Sequence, residues 1–305
     1  MGLRELLDYG QVQGDGNIMF RFGLWRFFVI LAATIIALSC TGNGTKSADG
    51  KNGNAKNPGA ASSTDVEMTT TDGIKITGTF YNAGNANDAP GILLVHQLGK
   101  DRSTYSDFQK ALAEKGFMSL AIDLRGHGGS TQNGTLEFGK FTKEEWMKAA
   151  NDIDSGIEYL MSQTSAGIGI VGASIGANLA VIAVSEAKSS GKQYPVDAIV
   201  LLSPGLNYHG IQPLLYARGL EKIPVLVVSA ENDKQSYPGS QSMSQAARGG
   251  ELKTVSGQVH GTDMFKEIPG IPQEIIDWLY SKIARQPSEI ENPENSGDNP
   301  GETNP

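Results

Sequence analysis

A chain of 305 residues has room for one substantial core, and its composition is that of a folded protein with an excess of glycine. The net charge of −8 is uneven: residues 286–305 carry −5 with no basic residue, and residues 41–64 carry +2. No basic stripe interleaved with aromatics appears, which argues against a nucleic-acid partner. Cys40 is the only cysteine, so an intramolecular disulfide and a multi-cysteine metal site are both excluded.

Residues 27–38, FFVILAATIIAL, form a run that is apolar but for Thr34, behind Arg21 and Arg26 and ahead of Ser39-Cys40. A spanning helix needs about 20 apolar residues, so this run has instead the length of a signal-peptide core. The ending Ala-Leu-Ser-Cys resembles a bacterial lipoprotein signal, in which the cysteine is lipidated and begins the mature chain. Ala37 stands where such signals usually carry Leu, and a plain signal peptide with a stray cysteine is the alternative. The expectation is a signal over 1–39, with Met19 as a possible start because Glu5, Asp8 and Asp15 sit oddly before it. Cys40 would hold the protein to a membrane of the bacterial cell envelope, with the folded domain outside the cytoplasm. Residues 40–64 read as a Gly/Asn/Ser/Ala-rich linker, 65–285 as the folded domain and 286–305 as a solvated acidic tail.

From Val66, VEMTTTDGIKITGTFY alternates around Asp72-Gly73, which predicts an antiparallel hairpin. Short continuous apolar runs then recur: GILLVH (91–96), FMSLAIDL (117–124), IGIVGA (168–173), AIVLLS (198–203) and VLVVSA (225–230). Such runs suit parallel strands buried on both faces. A weaker strand, LKTVSG, follows. Helices are predicted over Ser106–Lys115, after the Thr142/Glu145 capping box, over Ile175–Lys188 and over Pro272–Ala284. On the second of these, Trp146, Ala149, Ile153, Ile157 and Leu160 share a face. The alternation predicts an α/β fold: a doubly wound, mostly parallel sheet with the antiparallel hairpin at one edge.

In open α/β sheets the reactive groups collect at the carboxyl ends of the strands. Ser174 follows IGIVGA, between Gly172 and Gly176, in the pattern of a nucleophile elbow. A serine hydroxyl needs a base, and the base needs a carboxylate to fix its tautomer. With the chain order serine, acid, histidine, only His209 and His260 qualify as bases, and no acid stands between Ser174's following strand and His209. That leaves His260. Of the acids Glu231, Asp233 and Glu251, Asp233 is best placed and Glu231 is the runner-up. His96 and His127 are expected to order their loops, and His209 to stand at the rim. No two histidines and acids share metal-ligand spacing, so neither a metal nor another cofactor is expected.

The stretch GILLVHQLGKDRSTYSDFQKALAEKGFMSLAIDLRGHGGS, with VGASIGA, SAENDK and GQVHG, resembles the α/β-hydrolase superfamily, in its dienelactone hydrolase-like and serine esterase branch. The likeness covers about residues 74–285. Dienelactone hydrolases carry a cysteine nucleophile where this chain has Ser174, which points to ordinary ester cleavage. Gln97 stands where many relatives have glycine. The resemblance implies oxyanion donors at the backbone N–H of Ile175 and, in the loop after GILLVH, of Leu98, with Gln97 as the alternative. It also implies a lid after AIVLLS, but residues 204–223 allow only one short helix around Ile211–Arg218. Minimal or no lid suits small or medium esters, including esters on a polymer. Peptidase or amidase chemistry by the same triad is the enzymatic alternative, and a non-catalytic envelope lipoprotein is the alternative of another class.

Overall fold

The computed structural model describes residues 61–84, 89–164 and 166–283. The expected signal segment, Cys40, most of the linker and the acidic tail lie outside the described residues.

Strands β1 (Ser62–Thr69) and β2 (Lys75–Asn82) form the hairpin, and its turn closes where Gly73, at φ +82°, donates to the Thr70 carbonyl at 2.9 Å. Strand β1 begins within the stretch read as linker. Ser62, Ser63 and Thr64 pair with Asn82, Tyr81 and Phe80 through the backbone, which requires no apolar side chain on an exposed edge.

The remaining strands are β3 (Gly91–Val95), β4 (Met118–Ile122), β5 (Ile168–Ala173), β6 (Val196–Leu202), β7 (Val225–Ala230) and β8 (Glu251–Val255). Together they make an eight-stranded sheet in the order β1-β2-β4-β3-β5-β6-β7-β8. From β4 to β8 across the sheet every pairing is parallel, and β2 joins β4 antiparallel. The fold class is therefore as expected: a mostly parallel, doubly wound sheet with the hairpin at one edge.

The period of two along each strand divides the core. Leu93, Val95, Ile170, Leu201 and Val227 face one side, under α2 (Lys143–Lys148), α3 (Ala150–Gln163), α4 (Ile175–Ser189) and α5 (Tyr237–Ala246). Ile92, Leu94, Val171, Val200 and Val228 face the other, under α1 (Ser106–Glu114), α6 (Met264–Glu267) and α7 (Ile271–Ile283). Both faces are covered, which is why the strands read as continuous apolar runs. The Thr142/Glu145 capping box is present, with bonds of 3.2 and 2.6 Å, and Trp146, Ala149, Ile153, Ile157 and Leu160 are all buried. The helix after the box breaks into α2 and α3 at Ala149.

Between β6 and β7 stands one 3₁₀ segment, Pro213–Leu220, where a short helix was predicted. It lies on α4, tied by the Ser185 hydroxyl to the Tyr216 carbonyl at 2.7 Å. Helix α5 has no counterpart in the sequence reading. Its Tyr-Pro-Gly-Ser-Gln-Ser sequence has weak helix propensity, and Gly239, Ser240 and Met243 are buried along it.

Opposite charges tie the hairpin to the layer above it. Arg125 donates to Asp72 in the hairpin turn at 2.8 and 3.0 Å and to Asp152 on α3 at 2.7 and 2.8 Å. The guanidinium holds the Asp72 carboxyl well below the usual carboxylate range. At Asp152 burial outweighs the same cation and pushes the carboxyl up to about 6. Removing one partner from such a buried network typically costs about 3–5 kcal/mol.

Candidate active site

Ser174 sits between β5 and α4 at φ +53° and ψ −117°, a conformation that L-residues avoid. The flanking glycines make this turn possible. A Cβ on Gly172 would lie 2.8 Å from the Ala177 Cα, and one on Gly176 would lie 2.6 Å from the His96 carbonyl oxygen. Strand and helix meet too closely for any other residue.

The structure brings Asp233 and His260 together across 27 residues of chain. The Asp233 carboxylate accepts from His260 Nδ1 at 2.6 Å, which leaves Nε2 for the cleft. Asp233 is itself fixed: it accepts a short hydrogen bond from the buried Ser236 hydroxyl and N–H bonds from Gln235 and Ser236 at 3.3 Å. Ser236 went unnoticed in the sequence, where only its spacing of three from Asp233 hints at a capping turn. The runner-up, Glu231, is exposed, and its N–H continues the sheet by donating to Val255. It does not join His260.

The loop after β3 carries Gln97 and Leu98. Leu98 and Ile175 line one cleft with Ser174 and His260, and neither N–H has a partner among the described residues. The Gln97 side chain has a role of its own, whichever N–H of this loop faces the oxyanion. Its Oε1 accepts from the Thr262 N–H at 2.6 Å and the Thr262 hydroxyl at 2.9 Å, and its Nε2 donates to Asp263 at 3.3 Å. Gln97 thus clamps the loop bearing His260. Gly261, at φ +57°, lets the clamp close, because a Cβ there would meet Gln97 Oε1 at 2.1 Å.

His96 and His127 order loops. His96 Nδ1 donates to the Gln97 carbonyl at 2.8 Å, and its Nε2 accepts from the Leu124 N–H at 3.0 Å. Burial pushes its imidazole down to about 4, so the ring is neutral and its tautomer is set by these two bonds. His127 stacks on Phe138 at 3.9 Å and accepts from Gly99 at 3.3 Å; burial lowers it as well. Neither histidine lines the cleft.

Tyr208 was missed altogether. Its hydroxyl donates to the Ser203 carbonyl at 3.3 Å, and its ring meets that of His260 edge-on at 6.3 Å. Burial pushes the phenol up to about 12, while hydrogen bonding with Ser174 and Ser236 opposes the shift. The cleft itself holds about 150 Å³ and is lined by Gln97, Leu98, Ser174, Ile175, Tyr208, His209, Gln235 and His260. His209 stands at the rim, as expected. Among the described residues no group of histidines, cysteines and acids could hold a metal ion.

The fold is that of the α/β-hydrolases. Residues 89–222 match the family model described as serine aminopeptidase, S33, a match that ends before Asp233 and His260. Two uncharacterized proteins, from two strains of Mycobacterium tuberculosis, are each 29% identical over 145 residues, or 46% of this chain. The match spans only 45% of the length of those curated relatives. An esterase from Pyrococcus furiosus superposes with a TM-score of 0.58 at 19% identity, over 73% of this chain and 93% of that one. A dienelactone hydrolase from Anabaena variabilis superposes with a TM-score of 0.57 at 17% identity, over 73% of this chain and 99% of that one.

Proposed function

We propose that this chain is a serine hydrolase that cleaves carboxylic esters through an acyl-enzyme. The observation that carries the reading is the Asp233–His260 pair, 2.6 Å long, opening on the cleft that contains Ser174 on its strained elbow. In this reading His260 Nε2 takes the Ser174 hydroxyl proton as Oγ attacks the ester carbonyl. Asp233 holds the tautomer and stabilises the imidazolium that forms. The free N–H groups of Leu98 and Ile175 bind the oxyanion, and the start of α4 favours its charge. The imidazolium then gives its proton to the departing alkoxide. Water, activated by the same base, hydrolyses the acyl-Ser174 ester.

Labelling of Ser174 by a fluorophosphonate and turnover of p-nitrophenyl esters test this directly. Ser174→Ala and His260→Ala are expected to lower turnover by about 1000-fold or more, and Asp233→Asn comparably. Glu231→Gln is expected to remain near wild type; an active Asp233→Asn beside an inactive Glu231→Gln would reassign the acid.

A second reading, peptidase or amidase, draws on the family description that matches residues 89–222. An aminopeptidase must hold a substrate ammonium, and no Asp or Glu lines the cleft among the described residues. Aminoacyl anilides in the same assay separate the two readings. A protein that neither labels nor turns over any of these substrates would be a binding scaffold.

A further inference from the structure

We infer, resting on the ester-hydrolase reading, that the preferred substrate is a short-acyl ester of a neutral, hydroxyl-rich alcohol, held by the His209 and Gln235 side chains at the cleft mouth. The argument starts from the turn Tyr208–Ile211. Tyr208 and Ile211 exchange N–H···O bonds of 3.1 and 2.8 Å, and His209 and Gly210 between them take φ +51° and +87°. Asn and Gly are the commonest residues in such a turn, histidine is tolerated at positive φ better than most, and here the turn sets the His209 side chain on the cleft.

The turn is registered to the nucleophile. Asn178, one helical turn beyond Ser174 on α4, donates to the Gly205 and Ile211 carbonyls at 3.0 and 3.2 Å and accepts from the Gly205 N–H at 3.1 Å. The His209 ring is oriented as well, stacking on the buried Trp146 with centroids 5.4 Å apart. Its ring nitrogens and the Gln235 side-chain amide make no hydrogen bond among the described residues, although both residues line the cleft.

Chemistry then selects the ligand. No Asp, Glu, Lys or Arg lines the cleft among the described residues, so a charged alcohol meets no counter-charge there. Its volume of about 150 Å³ is enough to seat a short acyl group. Hydrogen-bonding groups at the mouth match hydroxyls, and an alcohol lacking hydroxyls leaves them without partners.

The test compares three acetates: a monoacetylated methyl glucoside, cyclohexyl acetate and acetylcholine, with p-nitrophenyl acetate as the reference ester. The expected kcat/KM for the glucoside exceeds that for cyclohexyl acetate and acetylcholine by about tenfold or more. His209→Phe keeps the ring stack, and Gln235→Met keeps the side-chain length. Each is expected to bring the glucoside-to-cyclohexyl ratio down toward one, with a thermal melt confirming that the variant folds. A wild-type ratio near one, or a ratio unchanged in both folded variants, overturns the inference while p-nitrophenyl acetate turnover upholds the esterase reading. Preference for acetylcholine overturns it too. Failure of all four esters, together with no fluorophosphonate labelling, overturns the esterase reading itself.

Discussion

At Ser174 the backbone stores strain for the sake of a side chain. A β-carbon at φ +53° typically costs about 1–3 kcal/mol, and Gly would adopt the same angles freely. Ser174→Gly is therefore expected to raise the melting temperature while abolishing turnover, whereas Ser174→Ala, which keeps the β-carbon, abolishes turnover without that gain. Equal melting temperatures for the two variants would show the elbow to be unstrained. His96 ties stability to acidity instead. Unfolded, an imidazole titrates near 6.5, and in the folded chain burial holds this one down to about 4. As pH falls, the unfolded chain takes up the proton first. The stability from this group is full above pH 6.5 and is lost on the way down to pH 4, by about 3 kcal/mol over the window. His127 acts in the same direction. Urea midpoints measured across that window are expected to fall with pH, and less steeply in His96→Asn; an unchanged slope would place the protons elsewhere.

Elements differ in how much of themselves they write into the sequence. Strands β3 to β7 were legible because burial on both faces demands unbroken apolar runs, and the elbow because its glycines are forced by contact. The pairing of Asp233 with His260 followed from their places beyond strand ends. Helix α5 was illegible, since Gly239 and Ser240 are there for close packing rather than for helix propensity. Tyr208 was hidden for another reason: it reaches Ser174's neighbourhood only because Asn178 draws in a loop 27 to 33 residues away. Gln97 was noticed as a departure, but its partners lie 165 and 166 residues along. Its clamp joins the loop of the proposed oxyanion donor to the loop of the proposed base. Gln97→Ala is expected to lower kcat by about tenfold or more, because small displacements of catalytic groups are expensive, and Gln97→Glu is expected not to restore it, because a carboxylate there faces Asp263 where the Gln97 Nε2 donates. Equal rates for wild type and Gln97→Ala would reduce the clamp to a packing contact.

For the described residues as a whole, the topology gives the first strand and the end of the last helix a shared place. Strand β1 is antiparallel to β2, and β2 to β4, so β1 runs in the same direction as the parallel strands and starts at their amino ends. Ile283, the last residue of α7, packs over Gly167 and Gly169 at the amino end of β5. Ser174 lies at the opposite, carboxyl end. On the sequence of residues 27–40 we propose that Cys40 is lipidated. Intact-mass measurement of a membrane fraction is then expected to find a chain beginning at Cys40 and carrying acyl groups, and Cys40→Ala is expected to lose membrane attachment. A mature chain that begins elsewhere would indicate secretion instead. The polarity of the sheet has a practical consequence whichever outcome is found. A bead, a fluorophore or a fused partner joined directly before Ser62 or after Ile283 attaches at the pole away from the cleft, so the domain spanning 62–283 can be grafted by either end with its mouth facing outward.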